Sequence, residues 1–382
     1  MRADERNDAR TEARTEARTE ARTEGRTEGR TDDSALGAAL LEAVRGLDFG
    51  AVADGSRGGA PVEAFPSLDL ALVVFGRDGA ARSANVLFSR EWPAGIAPRI
   101  ERGVVRGVRF DRDVQDAQGE SIAWRPGADW SRIAFVPLAA NDAGDDAPRF
   151  VAPYPASLLK LMVAVGVALA VDAGRCAWPA ELIEPMIEVS SNEATDELVA
   201  LLHRVDGIGL LHEAFARFGL ATLRLDDTRP DGGWRNADGA GVGHIHMTAW
   251  DTVRLLWLLD AEAPRPPWAG AGALLQPATR DALRGVLERQ QLNEILSSHS
   301  HEDLPGHVSG IPRSARFAHK TGTTDNYASD AGIVREGELH YIVALLSNLG
   351  RRYAPHERAA TTWKLPALGA AVHRIARGTA GQ

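Results

Sequence analysis

In YPASLLKLMVAVGVALAV, residues 154–171, Ser157 and Lys160 stand three apart at the head of a run that is apolar or Gly from Leu161 to Val171. A helix that is hydrophobic on all sides is buried, and a charge carried into it is costly. Desolvation lowers the pKa of a lysine and makes the amine a usable base near neutral pH. A serine at a helix N-terminus meets the positive end of the dipole, which favours the alkoxide character of a nucleophile. If Ser157 opens the helix, both side chains face the same way one turn apart. The apolar run is about half the roughly 20 residues that cross a bilayer, and Asp172 ends it. A buried core helix is expected, with no membrane span.

Two further runs carry chemistry. EVSSNEAT puts Ser190 and Asn192 inside an otherwise helical segment. Both residue types compete with a helix for backbone hydrogen bonds, so their pairing points to a site or a short loop, with a helix N-cap as the plain alternative. HKTGTTDN sets Lys320, Thr321, Gly322 and Thr323 at the start of a strand. There Lys320 could orient a substrate carboxylate, and Gly322 would let a substrate approach the strand backbone closely. Each run by itself is common by chance.

The elements that must position these residues follow from pattern and composition. With 382 residues, 44% hydrophobic and 25% charged, the chain has the composition of an ordinary soluble protein, long enough for two or three folding units. A net charge of -9 without a basic stripe argues against a nucleic-acid surface. One cysteine, Cys176, excludes an internal disulfide and any multi-cysteine metal site. The TEAR repeat from Thr11 to Asp33 sets like charges at i, i+4 and has no apolar face, so residues 1–33 are expected to form a disordered tail. The first 30 residues hold no apolar core of signal-peptide type, which leaves location open.

A helix is expected from Ser34 to Leu47, then two strands around GRDG within 68–89, then a polar stretch to about Asp129. Residues 131–153 suggest a strand, a Gly/Asp turn and a return strand. Helices follow, among them one capped by Thr248; DDTRPDGGWRNADGAGVG is a loop, read as a linker or the rim of a site. RFAHKTGT, SDAGIVREG and ELHYIVALLSN are strands, and LPALGAAVHRIAR is a helix. This order suits an α/β (α+β) fold: one antiparallel sheet built from both chain ends, flanked by helices, with a helical subdomain inserted.

Taken in order, S-x-x-K, S-x-N and K-T-G resemble the active-site set of the serine β-lactamase and penicillin-binding protein superfamily. The flanks PASLLKL, LIEPMIEVSSNEATDELV, TAWDTVRLL and LPGHVSGIPRSARFAHKTGTTDNYASDAGIV resemble its class A branch, over roughly residues 129–377. The resemblance implies a catalytic unit at 129–382, preceded by an α/β extension at 34–128. It implies that Ser157 is acylated by a β-lactam or a D-alanyl-D-alanine amide, with Lys160 as base and Ser190 relaying the proton to the leaving nitrogen. The N–H groups of Ser157 and Thr323 would form the oxyanion hole. Asn192 would hold Lys160 and the substrate amide, and Lys320 and Thr321 would receive the substrate carboxylate. No metal or cofactor is implied, and a monomer is expected.

This chain departs from the class A pattern in three ways. No glutamate occurs between Glu213 and Glu262, where the branch carries the residue that positions water for deacylation. Asp226 and Asp227 lie in that region with a shorter side chain. The interval from Ser157 to Ser190 is short for the branch, and no arginine matches the one that many members set beside the Lys320 position. A carboxypeptidase, or a sensor that is acylated once, would use the same residues. His244, His246, His299, His301 and His307 fit no closed set of metal ligands and are expected on surface loops.

Overall fold

The structure, a computed structural model, describes residues 33–139, 144, 146–234, 241–353 and 363–381. In chain order its main elements are α1 (33–45), β1 (Leu68–Phe75), β2 (Ala81–Phe88), α2 (Lys160–Asp172), α3 (Ala180–Glu188), α4 (Asn192–Arg204), α5 (Gly207–Phe218), α6 (Ala249–Leu259), α7 (Pro277–Glu288), β3 (Arg316–Thr323), β4 (Ala328–Glu336), β5 (Leu339–Ser347) and α8 (Lys364–Ala380). The five strands form one antiparallel sheet in the order β3-β4-β5-β1-β2. Strands from the two ends of the chain meet where β5 pairs with β1, with Ala344 opposite Ala71. The expected sheet from both ends, with helices inserted between them, is the observed architecture.

Side chains alternate between the faces of a strand, and that alternation sorts two cores. Leu68, Leu70, Leu72 and Val74 of β1 join Tyr341, Val343 and Leu345 of β5 beneath α1 and α8. Ala71, Val73 and Phe75 join Ile342, Ala344 and Leu346 against the helical unit. β1 is therefore buried along its whole length. Asp69 interrupts this apolar run: its carboxylate accepts from Ala249 N at the head of α6 (2.8 Å) and from Asn85 Nδ2 (2.7 Å). Burial pushes its pKa up to about 7. Gly79, at φ 77°, closes the β1–β2 turn in the left-handed region that glycine enters without steric cost.

α2 runs through the middle of the helical unit, buried from Lys160 to Ala168 and packed by α4, α5 and α7. No helix among the described residues is long and apolar enough to cross a membrane. At the head of α6, Thr248 Oγ1 accepts from Asp251 N as expected of a cap (3.4 Å).

Three expectations need correction or restriction. Among the described residues the first strand of the hairpin expected over 131–153 is not formed, and the return strand, Arg149–Val151, pairs in parallel with Arg109–Asp111 instead. Phe110 and Phe150 meet edge-on at 5.8 Å and, with Leu138, Val108, Ala152 and Leu87, close a small separate core that local pairing could not bury. The boundary expected at 128/129 is crossed by the sheet, since β1 and β2 hydrogen-bond into the same sheet as β3–β5. The expected tail lies outside the described residues except for Asp33, whose carboxylate accepts from Ser83 N (2.7 Å).

Candidate active site

Ser157 sits in a 3₁₀ turn, Ala156–Leu159, that leads directly into α2. Side chains three apart eclipse one another in such a turn, and the Lys160 N–H reaches Ser157 O. Ser157 and Lys160 thus share a face, as the sequence spacing suggested. Ala156 has φ 50°, a left-handed conformation that costs a non-glycine residue about 1–3 kcal/mol and concentrates at functional sites.

The turn rests on β3. A Cβ on Gly322 would stand 2.4 Å from Pro155 O and 2.5 Å from Leu158 N. Gly322 is therefore needed to seat the turn that carries Ser157, a role in the protein itself and not the approach of a substrate alone. From β4, opposite Gly322 in the register, Ser329 Oγ donates to Pro155 O (2.5 Å). The nucleophile candidate and the Lys320–Thr323 run, far apart in sequence, are held in one seam.

Ser190 is not inside a helix. α3 ends at Glu188 and α4 starts at Asn192, with Ser191 as N-cap accepting from Ala194 N (3.1 Å). Ser190 is thus a loop residue, and the cap is its neighbour Ser191 and neither Ser190 nor Asn192. Ser190 has φ 59°, again left-handed, and two lysines hold it there. Lys160 Nζ donates to Ser190 O (2.6 Å), Ser190 Oγ (3.1 Å) and Asn192 Oδ1 (2.8 Å). Lys320 Nζ donates to the same Ser190 Oγ (3.1 Å) and to Thr321 O (2.7 Å). Both lysines are fully buried. Burial, and secondarily the charge of Lys160, push the Lys320 pKa down to about 7, against the opposing pull of Asp330 and Glu294.

Several neighbours of the site were not singled out from sequence. The Trp234 ring lies 5.5 Å from Lys160 Nζ, and its indole N–H donates to Asp196 on α4. Its loop is thus a rim of the site. Thr323 Oγ1 donates to Glu294 Oε1 (3.0 Å). Tyr327, in the β3–β4 turn, donates to buried Asp113 (2.5 Å) and meets Tyr154 edge-on at 5.8 Å. Asn326 Nδ2 donates to Gln118 O (3.0 Å). Residues 113–121 therefore brace the turn beside the site, an arrangement that no local motif announces.

Asp226 and Asp227 are engaged elsewhere. Arg224 grips Asp226 through Nε and a terminal nitrogen, each at 3.1 Å, while Asp227 pairs with His244 Nδ1 (2.8 Å). Among the histidines expected on surface loops, His246 is buried, its Nδ1 2.9 Å from Thr222 O. Burial pushes its pKa down to about 4, so it serves packing and not a loop surface.

The fold is that of a mixed α/β protein, with a serine, two lysines and a second serine, residue types that nucleophilic acyl transfer uses, in the seam between sheet and helical unit. The model of the beta-lactamase enzyme family matches residues 179–367, about half of the chain. That span takes in Ser190, Asn192 and Lys320–Thr323 and begins after Ser157 and Lys160. The match places this span in the beta-lactamase enzyme family. Among solved structures it is similar to a beta-lactamase from Sphaerobacter thermophilus DSM 20745, at 17% identity and a TM-score of 0.43 over 59% of this chain and 82% of that one. It is also similar to PBP-A, at 18% identity and 0.44 over 82% and 91%. A variant of the last common ancestor of Gram-negative bacteria class A beta-lactamases shares 16% identity at 0.46 over 90% and 97%. No curated protein matches the chain.

Proposed function

We propose that this protein is a serine hydrolase that forms an acyl-enzyme on Ser157 and opens β-lactam amide bonds. One observation carries the reading: Ser190 Oγ lies 3.1 Å from Lys160 Nζ and 3.1 Å from Lys320 Nζ, in the seam that also holds the Ser157 turn. With both lone pairs of Ser190 Oγ taken by ammonium donors, its own proton is left to point into the site. That is the orientation required of a group that protonates a departing nitrogen.

In this mechanism Lys160 enters as the neutral amine: it keeps its N–H bonds to Ser190 O and Asn192 Oδ1, gives up the one to Ser190 Oγ, and accepts the Ser157 proton as Oγ attacks the carbonyl carbon, while the N–H groups of Ser157 and Thr323 stabilise the oxyanion. As the C–N bond breaks, Ser190 gives its proton to the nitrogen and is reprotonated from the lysine pair. Asn192 fixes Lys160 and the substrate amide, while Lys320 and Thr321 receive the penicillin carboxylate. Water then cleaves the ester and frees Ser157. The pairing of Asp226 with Arg224 and of Asp227 with His244 favours a second reading of the last step, a penicillin-binding protein or D-alanyl-D-alanine carboxypeptidase whose β-lactam adduct is long-lived.

Intact-protein mass spectrometry over time with benzylpenicillin tests both. An adduct on the wild type that Ser157→Ala abolishes is expected, and labelling that survives the substitution removes Ser157 as nucleophile. Clearance of the adduct with accumulation of opened drug supports the hydrolase, and persistence supports the second reading.

A further inference from the structure

The reading above gives Lys320 and Thr321 the task of receiving a carboxylate, yet a carboxylate of the protein already stands beside them, on the Thr323 hydroxyl. Glu294 Oε1 accepts from Thr323 Oγ1 at 3.0 Å. Its placement is set by the scaffold. Two residues on, Leu296 N donates to buried Asp330 on β4 (3.1 Å), and Leu296 O accepts from Ile311 N (2.7 Å). Cβ atoms on Gly310 or Gly369 would collide with Leu296 O, so the backbone here has no room to swing away. His301 Nε2 stands 4.0 Å from the other Glu294 oxygen.

Glu294 therefore changes the charge of the subsite. Lys320 is the cation of the K-T-G run, and its ammonium is committed to Ser190 Oγ and Thr321 O. The Glu294 carboxylate is close enough to act on Lys320 electrostatically, and it occupies the hydroxyl of Thr323. An incoming carboxylate would meet a like charge and find that donor already used. A primary amide, an ester or an amine would meet an acceptor instead. Resting on the acyl-enzyme reading, we infer that Glu294 is a specificity-determining residue, and that the preferred acyl donor carries a neutral or cationic group where penicillins carry their carboxylate.

The test compares acylation of Ser157 by benzylpenicillin and by its methyl ester, in the wild type and in Glu294→Gln, with Ser157→Ala as control. Second-order rate constants come from time-resolved intact mass. The ester should acylate the wild type at least about tenfold faster than the acid, because like charges in a poorly solvated site repel strongly. Glu294→Gln should raise the acid rate at least about tenfold and leave the ester rate within about twofold, closing the gap. A wild type that prefers the acid overturns the inference without any variant, as does a folded Glu294→Gln with an unchanged ratio. If neither compound labels Ser157, the acyl-enzyme reading falls and this inference with it. Labelling of Ser157 without discrimination defeats the inference alone.

Discussion

Lys160 and Lys320 both donate to one hydroxyl, which brings two like charges together inside a buried seam. The site tolerates this because burial and the neighbouring ammonium lower the Lys320 pKa from 10.5 to about 7. Two opposite pH trends follow. The Lys320 ammonium is lost as pH rises through about 7, so acylation by benzylpenicillin should fall above that pH, while acylation by the methyl ester should not. Stability should move the other way. An unfolded lysine keeps its proton up to its ordinary value, so the cost of burying the charge is full below about 7 and vanishes as pH rises from about 7 to 10.5. Stopped-flow acylation and thermal melts across that window check the pair of trends; an acid rate flat through pH 7 would remove Lys320 from carboxylate recognition. Sequence disclosed the residue types at this scale, because an S-x-x-K at the head of an apolar helix is unusual chemistry wherever it lies. Glu294 and Trp234 gave no such signal, since a lone Glu after a helix and a lone Trp in a glycine-rich loop are ordinary until something is folded against them.

Among the elements, the 3₁₀ turn before α2 and the strand β3 form one unit joined at Gly322. A methyl group there would meet Pro155 O and Leu158 N, both backbone atoms, and backbone cannot rotate out of the way. Gly322→Ala is expected to slow acylation by about 100-fold, because a displacement of roughly 1 Å at a reacting group has that effect. It should destabilise the fold by about 1–3 kcal/mol, as overpacking does. Acylation kinetics and denaturant unfolding of the same variant measure both numbers, and a normal acylation rate would show that the turn can be seated without this contact. The strands were legible as elements because their apolar runs are long and bounded by turn residues: RFAHKTGT is β3 to the residue. The hairpin expected over 131–153 failed for the converse reason. Its return strand is three residues long, and so short a segment pairs wherever its phenylalanine finds a core, here beside Phe110.

At the scale of the whole molecule, Asp69 on β1 and Asp113 beside the β3–β4 turn are buried carboxylates held by neutral donors. Burial pushes Asp69 up to about 7 and Asp113 up to about 6. The folded protein therefore holds protons that the unfolded chain releases near 3.8. Their contribution to stability is full below that value and is lost as pH rises through about 6 to 7. Combined with the rise from Lys320 above 7, these groups should give a shallow stability minimum near neutral pH. Melting temperatures between pH 4 and pH 10 test it, and a maximum at pH 7 would show that other groups dominate.

By itself the sequence determined the nucleophile candidate, the lysines, the loop serine, the strands of the sheet and the burial of α2, because each is a matter of local spacing and of apolar periodicity within one segment. Only tertiary structure decided that Ser190 Oγ stands between two lysines, that Gly322 seats the Ser157 turn, that Glu294 faces Thr323, and that residues 113–121 brace the β3–β4 turn through Tyr327 and Asn326. These contacts join segments separated by tens to hundreds of residues. Packing selects them once the chain has closed, and no local pattern encodes which distant partner a side chain will meet.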